Sequence, residues 1–194
     1  MKILFLGPYY NLLKDNMEEH GDTVVSTENP IILKDITGYD FIVSFGYRYI
    51  IKPDILKYFN KKAINLHISY LPWNRGADPN LWSFLEDTAK GVSIHYINEG
   101  IDTGDIIAQR KVPWFLGDTL KTTYNRLMDE ILILFREKWP LIRCGQVTAS
   151  AQTEKGTYHK SDDKKSYEYL LINGWDTTVE DVLGKGCCQG GKEL

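Results

Sequence analysis

The sequence predicts an α/β protein: a mostly parallel, twisted sheet flanked by helices, followed by a short C-terminal extension. Three observations carry this. Apolar runs at residues 2–6 and 41–45 each end in glycine, at Gly7-Pro8 and Gly46, which suits central strands buried on both faces. Helical stretches separate such runs, and strand, helix, strand at these lengths is parallel βαβ winding. One long segment, roughly Thr119 to Cys144, repeats Leu120, Tyr124, Leu127, Ile131, Leu134, Phe135 and Trp139 at three and four, the spacing of a helix lying on a core.

Taken in order, Lys-Ile-Leu-Phe-Leu at residues 2–6 is the first strand. Its single charge and apolar run resemble a leader peptide, but the run is too short and a Tyr-Tyr-Asn turn interrupts it. Asn11 to His20 supplies helix formers with Leu12, Leu13 and Met17 on one side, and Gly21 ends the element. Val24-Val25 and residues 41–45 are the second and third strands. Pro53 opens a short helix through Leu56, Lys57 and Tyr58, at a position where proline is tolerated. Residues 63–68 form the fourth strand, and Asn80 to Leu85 a short helix carrying Trp82 and Phe84. Residues 91–97 alternate as a strand, and Ile106 to Val112 follows as its antiparallel neighbour. Asp118 is placed as N-cap of the long helix, and Pro140 is expected to bend or shorten its last turn. After Gly145, Val147 to Ala151 reads as an edge strand and Lys155 to His159 as an exposed ribbon. Thr178 caps one or two helical turns to Leu183 with Glu180 in the first, and the tail around Cys187-Cys188 is frayed. Residues 1–146 are expected to be the catalytic domain, with 147–194 packed on it as an extension.

Composition narrows the function classes. The 194 residues are 43% hydrophobic and 25% charged, with 23 basic against 26 acidic residues and a net charge of −3. Without a basic stripe, a dedicated nucleic-acid binder is disfavoured, because its affinity needs clustered Lys and Arg. No apolar run approaches the ~20 residues of a membrane span. The three cysteines, Cys144, Cys187 and Cys188, are odd in number and lack metal-ligand spacing, so a reducing cytoplasm is expected and no metal site. The Gly-x-Gly-x-x-Gly pattern is absent after the first strand, and Pro8 removes an amide that a pyrophosphate loop would use; dinucleotide binding fails there.

The candidate site lies between Ala63 and Ile107. Asn65 and His67 alternate onto one side of their strand, about 6.6 Å apart, near the carboxyl end where open α/β sheets bind ligands. An amide can donate to a carbonyl oxygen gaining negative charge, and an imidazole can donate likewise or relay a proton near neutral pH. Asp102, in the glycine-bounded turn Gly100 to Gly104, can orient His67, favour its cationic form and accept a proton. A satisfied core histidine and a turn-capping asparagine are the plain alternative. No serine sits in a Gly-x-Ser-x-Gly elbow, so the residues suit attack by an external amine or hydroxyl on a carbonyl.

These residues also carry a family resemblance. Asn65-Leu66-His67-Ile68-Ser69-Tyr70-Leu71-Pro72-Trp73-Asn74-Arg75-Gly76, with Gly91 to His95 and Gly100-Ile101-Asp102-Thr103-Gly104-Asp105, resembles the N10-formyltetrahydrofolate-dependent formyltransferases. The resemblance covers about residues 1–145 and implies a Rossmann-like formyltransferase fold. It implies N10-formyltetrahydrofolate as co-substrate and a catalytic trio of Asn65, His67 and Asp102. Asn65 and His67 are then expected to stabilise the oxyanion, with Asp102 orienting His67 and assisting proton removal. The pterin is expected against Phe45, Tyr47, Arg48 and Ile50 and the turn of Ile97, Asn98 and Glu99.

The same resemblance ranks the acceptors. The loop from Leu71 to Ser83 and the short tail are similar to small enzymes that formylate nucleotide-linked 4-amino-4,6-dideoxy sugars, of the pseudaminic-acid type in surface glycan biosynthesis. A glycinamide ribonucleotide acceptor, or a formylation domain of a nonribosomal peptide synthetase, is the alternative; a carrier-docking module without turnover is a further one. Trp73 and Trp82 offer faces to a deoxy-sugar, Arg75 can clamp a phosphate bidentately, and Gly76 lies beside them. Tyr9 and Tyr10, after the first strand, are placed to stack a nucleobase. The expected partner is a small nucleotide-sugar, with neither nucleic acid nor membrane, and a homodimer through the strands after Val147 is the assembly to look for.

Overall fold

The computed structural model describes residues 1–186. Six strands form the main sheet: β1 Lys2–Leu6, β2 Thr23–Thr27, β3 Phe41–Phe45, β4 Ala63–His67, β6 Gly91–Tyr96 and β7 Ile106–Lys111. Their order is β2-β1-β3-β4-β6-β7. The first four are parallel, whereas β6 runs antiparallel to β4 and β7 antiparallel to β6, as the short connection between them requires. The chain leaves β1 for β2 on one side and returns to β3 on the other. That reversal opens a crevice at the carboxyl ends of the parallel strands.

Period-two alternation in the strands divides the core. Ile3, Phe5, Val43 and Ile64 face α1 (Tyr10–Glu19) and α4 (Leu120–Arg143), packing with Leu13, Met17, Leu127, Ile131, Phe135 and Trp139. Leu4, Leu6 and Ile42 face the other way, onto Ile55 and Phe59 of α2 (Pro53–Phe59). Trp139 is fully buried, stacked on Phe135 at 5.2 Å and edge-on to Phe41 at 5.5 Å, and its indole N–H donates to Asp22 at 3.1 Å. The long helix thus ties the first βαβ unit to its own C-terminal end.

Several local expectations are corrected. Thr119, not Asp118, caps α4: its Oγ1 accepts from the Thr122 amide at 3.2 Å, and Thr122 Oγ1 accepts from the Thr119 amide at 2.9 Å. Asp118 instead accepts from the Phe115 amide at 2.8 Å and pairs with Arg126 at 2.7 and 2.9 Å. The helix continues through Pro140 to Arg143, so the proline does not cut its last turn short.

The segment 147–151 does not form a strand; it contributes one isolated antiparallel bridge, Ser150 to Ile106. Nor is Lys155 to His159 simply an exposed ribbon. Tyr158–His159 is β8, which pairs in parallel with β5 (Arg75–Gly76), and His159 is buried. Beyond it, Tyr167, Val179 and Val182 pack with Leu120 and with Leu81, Trp82, Phe84 and Leu85 of α3 (Pro79–Leu85). The turn after Thr178 is 3₁₀ rather than α-helical, and its Glu180 accepts from the Gly117 amide at 2.7 Å. The expected frayed tail, with Cys187 and Cys188, lies outside the described residues.

Candidate active site

Strand register places the first groups. Asn65 pairs with Ser44 on the parallel side of β4 and with His95 on the antiparallel side, so amide and imidazole become cross-strand neighbours. Asn65 Nδ2 lies 3.3 Å from His95 Nε2 and donates to Asp102 Oδ1 at 3.1 Å. His95 Nδ1 lies 2.8 Å from the Tyr96 carbonyl, which only accepts, so Nδ1 carries a proton. Its Nε2 is 3.3 Å from Asp102 Oδ1.

His67 is held differently. Its Nε2 donates to the Asn74 carbonyl at 3.0 Å, which leaves Nδ1 facing Asp102 Oδ2 at 3.8 Å. That separation exceeds a hydrogen bond. Asn74, not Asp102, therefore fixes the ring's orientation, and Nδ1 is the nitrogen left for chemistry. Asn74 is fully buried, with left-handed backbone at φ 57°. Its amide donates to Thr157 Oγ1 at 2.9 Å, its side-chain N–H to Glu86 at 3.2 Å, and its Oδ1 accepts from Thr88 at 2.8 Å. Asparagine suits this turn because it tolerates the left-handed region.

Asp102 is the hub. It stands at φ 52° in its turn, its side chain 12% exposed, and its Oδ2 accepts the Gly76 amide at 2.9 Å. Burial works against ionisation, but the charge of His67, the hydrogen bond and charge of His95, and the Gly76 amide outweigh it. They hold the carboxyl well below the usual carboxylate range, so it is ionised at neutral pH. Gly104 lies so close to the Tyr96 carbonyl that a side chain there would collide with it. Gln152 closes the arrangement. Its Nε2 donates to the Asp102 and Gly104 carbonyls at 2.9 and 2.8 Å, while its Oε1 accepts two N–H groups of Arg75, at 3.1 and 2.7 Å.

Asn65, His67, His95 and Asp102 open into a cavity of about 840 Å³ at the carboxyl ends of the strands. An amide donor, an imidazole with one free nitrogen and a stabilised carboxylate can polarise a carbonyl and take a proton from an attacking amine. Among the described residues no His, Cys, Asp or Glu group has the makings of a metal site.

Residues 19–136 match the model of the formyl transferase family. The chain belongs to that family. The dTDP-4-amino-4,6-dideoxyglucose formyltransferase of Mycobacterium bovis is 30% identical over 135 residues, 70% of this chain and 57% of that protein. The methionyl-tRNA formyltransferase of Finegoldia magna is 38% identical over 105 residues, 54% of this chain and 34% of that protein. The chain thus spans less than two thirds of the length of these curated relatives. Among solved structures, the formyltransferase PseJ of Anoxybacillus kamchatkensis matches with a TM-score of 0.93 at 54% identity, covering 96% of this chain and 100% of that one. PseJ was crystallised with UDP-4,6-dideoxy-4-formamido-L-AltNAc and tetrahydrofolate.

Within this formyl transferase fold the positions expected to hold the pterin all line the cavity: Phe45, Tyr47, Arg48 and Ile50, together with Ile97, Asn98 and Glu99. The acceptor expectations fare unevenly. Tyr9 and Gly76 line the cavity; the Tyr9 ring packs on Phe45 at 4.6 Å, and its hydroxyl meets that of Tyr124 at 3.0 Å. Tyr10 instead packs beside Phe5 at 5.9 Å, outside the wall.

Three further substrate expectations meet other partners. Arg75 gives its N–H groups to Gln152 and the Lys155 carbonyl, so it braces the loop. Trp82 is 4% exposed and stacked on His159 at 3.7 Å, a core residue outside the lining of this cavity. Trp73 is half-buried, outside the lining of this cavity, with its carbonyl accepting from Ser69 at 2.8 Å. His95, Asn74 and Gln152 were not assigned roles from sequence. Only His95 carried a usable signal, because pairing β6 against β4 brings it opposite Asn65.

Proposed function

We propose that this chain transfers the formyl group of N10-formyltetrahydrofolate to the primary amine of a nucleotide-linked 4-amino-4,6-dideoxy sugar, in the cytoplasm, on the pseudaminic-acid branch of surface glycan synthesis. The observation that carries the reading is the convergence of Asn65, His67 and His95 on the ionised Asp102, at the mouth of a cavity fit for a folate. The acceptor assignment draws on the 54% identity to PseJ across that enzyme's whole length.

The cavity wall suits a flat, hydrogen-bonding bicyclic ring. Exposed aliphatic groups, Ile50 at 76% and Ile101 at 43%, stand beside the peptide edges of the turn at residues 97–100. Phe45, Tyr47, Arg48 and Ile50, with Ile97, Asn98 and Glu99, would hold it. When bound, formyltetrahydrofolate supplies an activated formyl carbon.

The chain's own groups do the rest. Asn65 Nδ2 donates to the oxygen that gains charge as the amine attacks. His67 Nδ1 takes a proton when neutral and donates one when charged, because Nε2 is committed to Asn74. Asp102 balances the positive charge that develops on the amine and on His67 as the new C–N bond forms, and it assists removal of the amine's proton. The old C–N bond to the folate breaks, and the proton passes to the departing nitrogen.

A side-by-side assay tests this. With formyltetrahydrofolate, the nucleotide-linked 4-amino sugar should be formylated and glycinamide ribonucleotide should not. Reaction of the ribonucleotide alone would reverse the assignment.

A further inference from the structure

Glu86 stands where a carboxylate gains little for the fold. It closes the carboxyl end of α3, where helix carbonyls disfavour a negative charge, yet its side chain is only 20% exposed. Pairing a largely buried acid with a buried histidine is a weak source of stability, because desolvation offsets the attraction. What the pair does is join two parts of the chain. Glu86 Oε1 lies 3.1 Å from Nε2 of His159, whose ring stacks flat on Trp82 at 3.7 Å and whose carbonyl accepts from the Ala77 amide at 2.9 Å. The other oxygen, Oε2, accepts from the Asn74 side chain at 3.2 Å.

From Asn74 the path continues to the reacting centre. Thr88, just past Glu86, donates to Asn74 Oδ1 at 2.8 Å, so both ends of that side-chain amide are held from one short stretch. Asn74 in turn presents the carbonyl that His67 Nε2 meets at 3.0 Å. That carbonyl has a competitor. Asp102 Oδ2 faces the other ring nitrogen at 3.8 Å, and an ionised carboxylate is a stronger acceptor than a peptide carbonyl. An imidazole free to turn would carry its proton on Nδ1, toward Asp102, and keep no lone pair there for the proton of an incoming amine. Holding Asn74 still decides which nitrogen is bare.

We propose that Glu86 is a positioning residue for His67: anchored by His159, it fixes the Asn74 carbonyl, keeps the imidazole proton on Nε2 and leaves Nδ1 bare toward Asp102. It touches no reacting atom itself, and its role rests on the one given to His67 above.

Nitrogen NMR of the histidine rings at mildly alkaline pH, where imidazoles are neutral, reads the tautomer of His67 among the chain's 4 histidines. Alongside a melting curve, kcat and KM are measured with formyltetrahydrofolate and the amino-sugar. In the wild type the His67 proton should sit on Nε2. Glu86→Ala should move part of it to Nδ1 and lower kcat by about tenfold, with KM for both substrates unchanged. Glu86→Gln still offers Asn74 an acceptor and should restore kcat to within about twofold. Asn74→Gly tolerates the left-handed backbone but lacks the side-chain amide; it should match Glu86→Ala, and the double variant should be no worse than either. Should Glu86→Ala fail to fold, Asn74→Gly decides in its place. An unmoved tautomer in these variants, or Glu86→Gln no better than Glu86→Ala, overturns the positioning role alone. A moved tautomer with undiminished kcat overturns it together with the use of His67 as proton carrier. The spectra need no acceptor, so they decide the placement even if the amino-sugar proves the wrong amine.

Discussion

Asn65, His67 and His95 stand on strands whose register places them, whereas Asp102 and Gln152 reach the same centre from loops. The strand side needs little beyond the sheet: β3 and β6 pair with β4, and the side chains follow from alternation. The loop side is stitched by single hydrogen bonds between residues far apart in the chain, Gln152 to Asp102 and Asn74 to Thr157. The difference teaches where precision in this site comes from. Asn65 and His95 are placed by the sheet alone, while Asp102 is as well placed as its few ties allow.

The largest expected effect lies on the strand side. Asn65→Ala and His67→Ala should each lower kcat by about 10²–10³, with the melting temperature little changed, because each removes a group that meets developing charge. Single-turnover assays with formyltetrahydrofolate measure this, and near-normal turnover in either variant would sink the assignment.

Gln152→Ala sharpens the contrast. It strips donors from the Asp102 and Gly104 carbonyls and leaves Arg75 without its main acceptor. We expect a fall in kcat of about tenfold through misplacement of Asp102, and a stability loss of about 2 kcal/mol in urea denaturation. A loss of turnover equal to that of Asn65→Ala would show that the two sides are equally decisive; an unchanged kcat would show that the turn holds itself.

The smallest effect is expected away from the site, at Asp118. Its bonds to Arg126, with lesser help from the Phe115 amide and Thr122, hold its carboxyl at about 2. The folded value is depressed below the ordinary ~3.9, so its contribution is complete above about pH 4 and is lost as pH falls toward 2. Asp118→Asn should therefore cost about 1–2 kcal/mol at pH 7, discounted for the partly exposed Arg126, with wild type and variant converging near pH 2 and kcat unaffected. Denaturation curves across that range decide it.

Legibility in the sequence follows the same division. The parallel strands were readable because both faces are apolar, and Asn65 and His67 were readable as a pair because strand alternation needs no tertiary knowledge. Asp102 was readable from the glycines around it. The two-residue pairing of β5 with β8 was not, since so short a strand leaves no periodic signal. Arg75 illustrates the cost: its partner Gln152 lies far along the chain, so nothing local marks this loop arginine as a brace. Trp82 in a short helix gave no sign of facing His159, and Thr119 and Asp118 are both acceptable caps that only geometry separates.

The bridge from Gln152 to the Asp102 turn also orders events during synthesis. Chains leave the ribosome at roughly 5–20 residues per second, so β4 and the Asp102 turn emerge several seconds before Gln152. In that interval a nascent chain can assemble its first strands, but the carboxylate's turn still has carbonyls waiting for their donor. Competence for chemistry thus arrives late, with a segment that adds no strand to the main sheet.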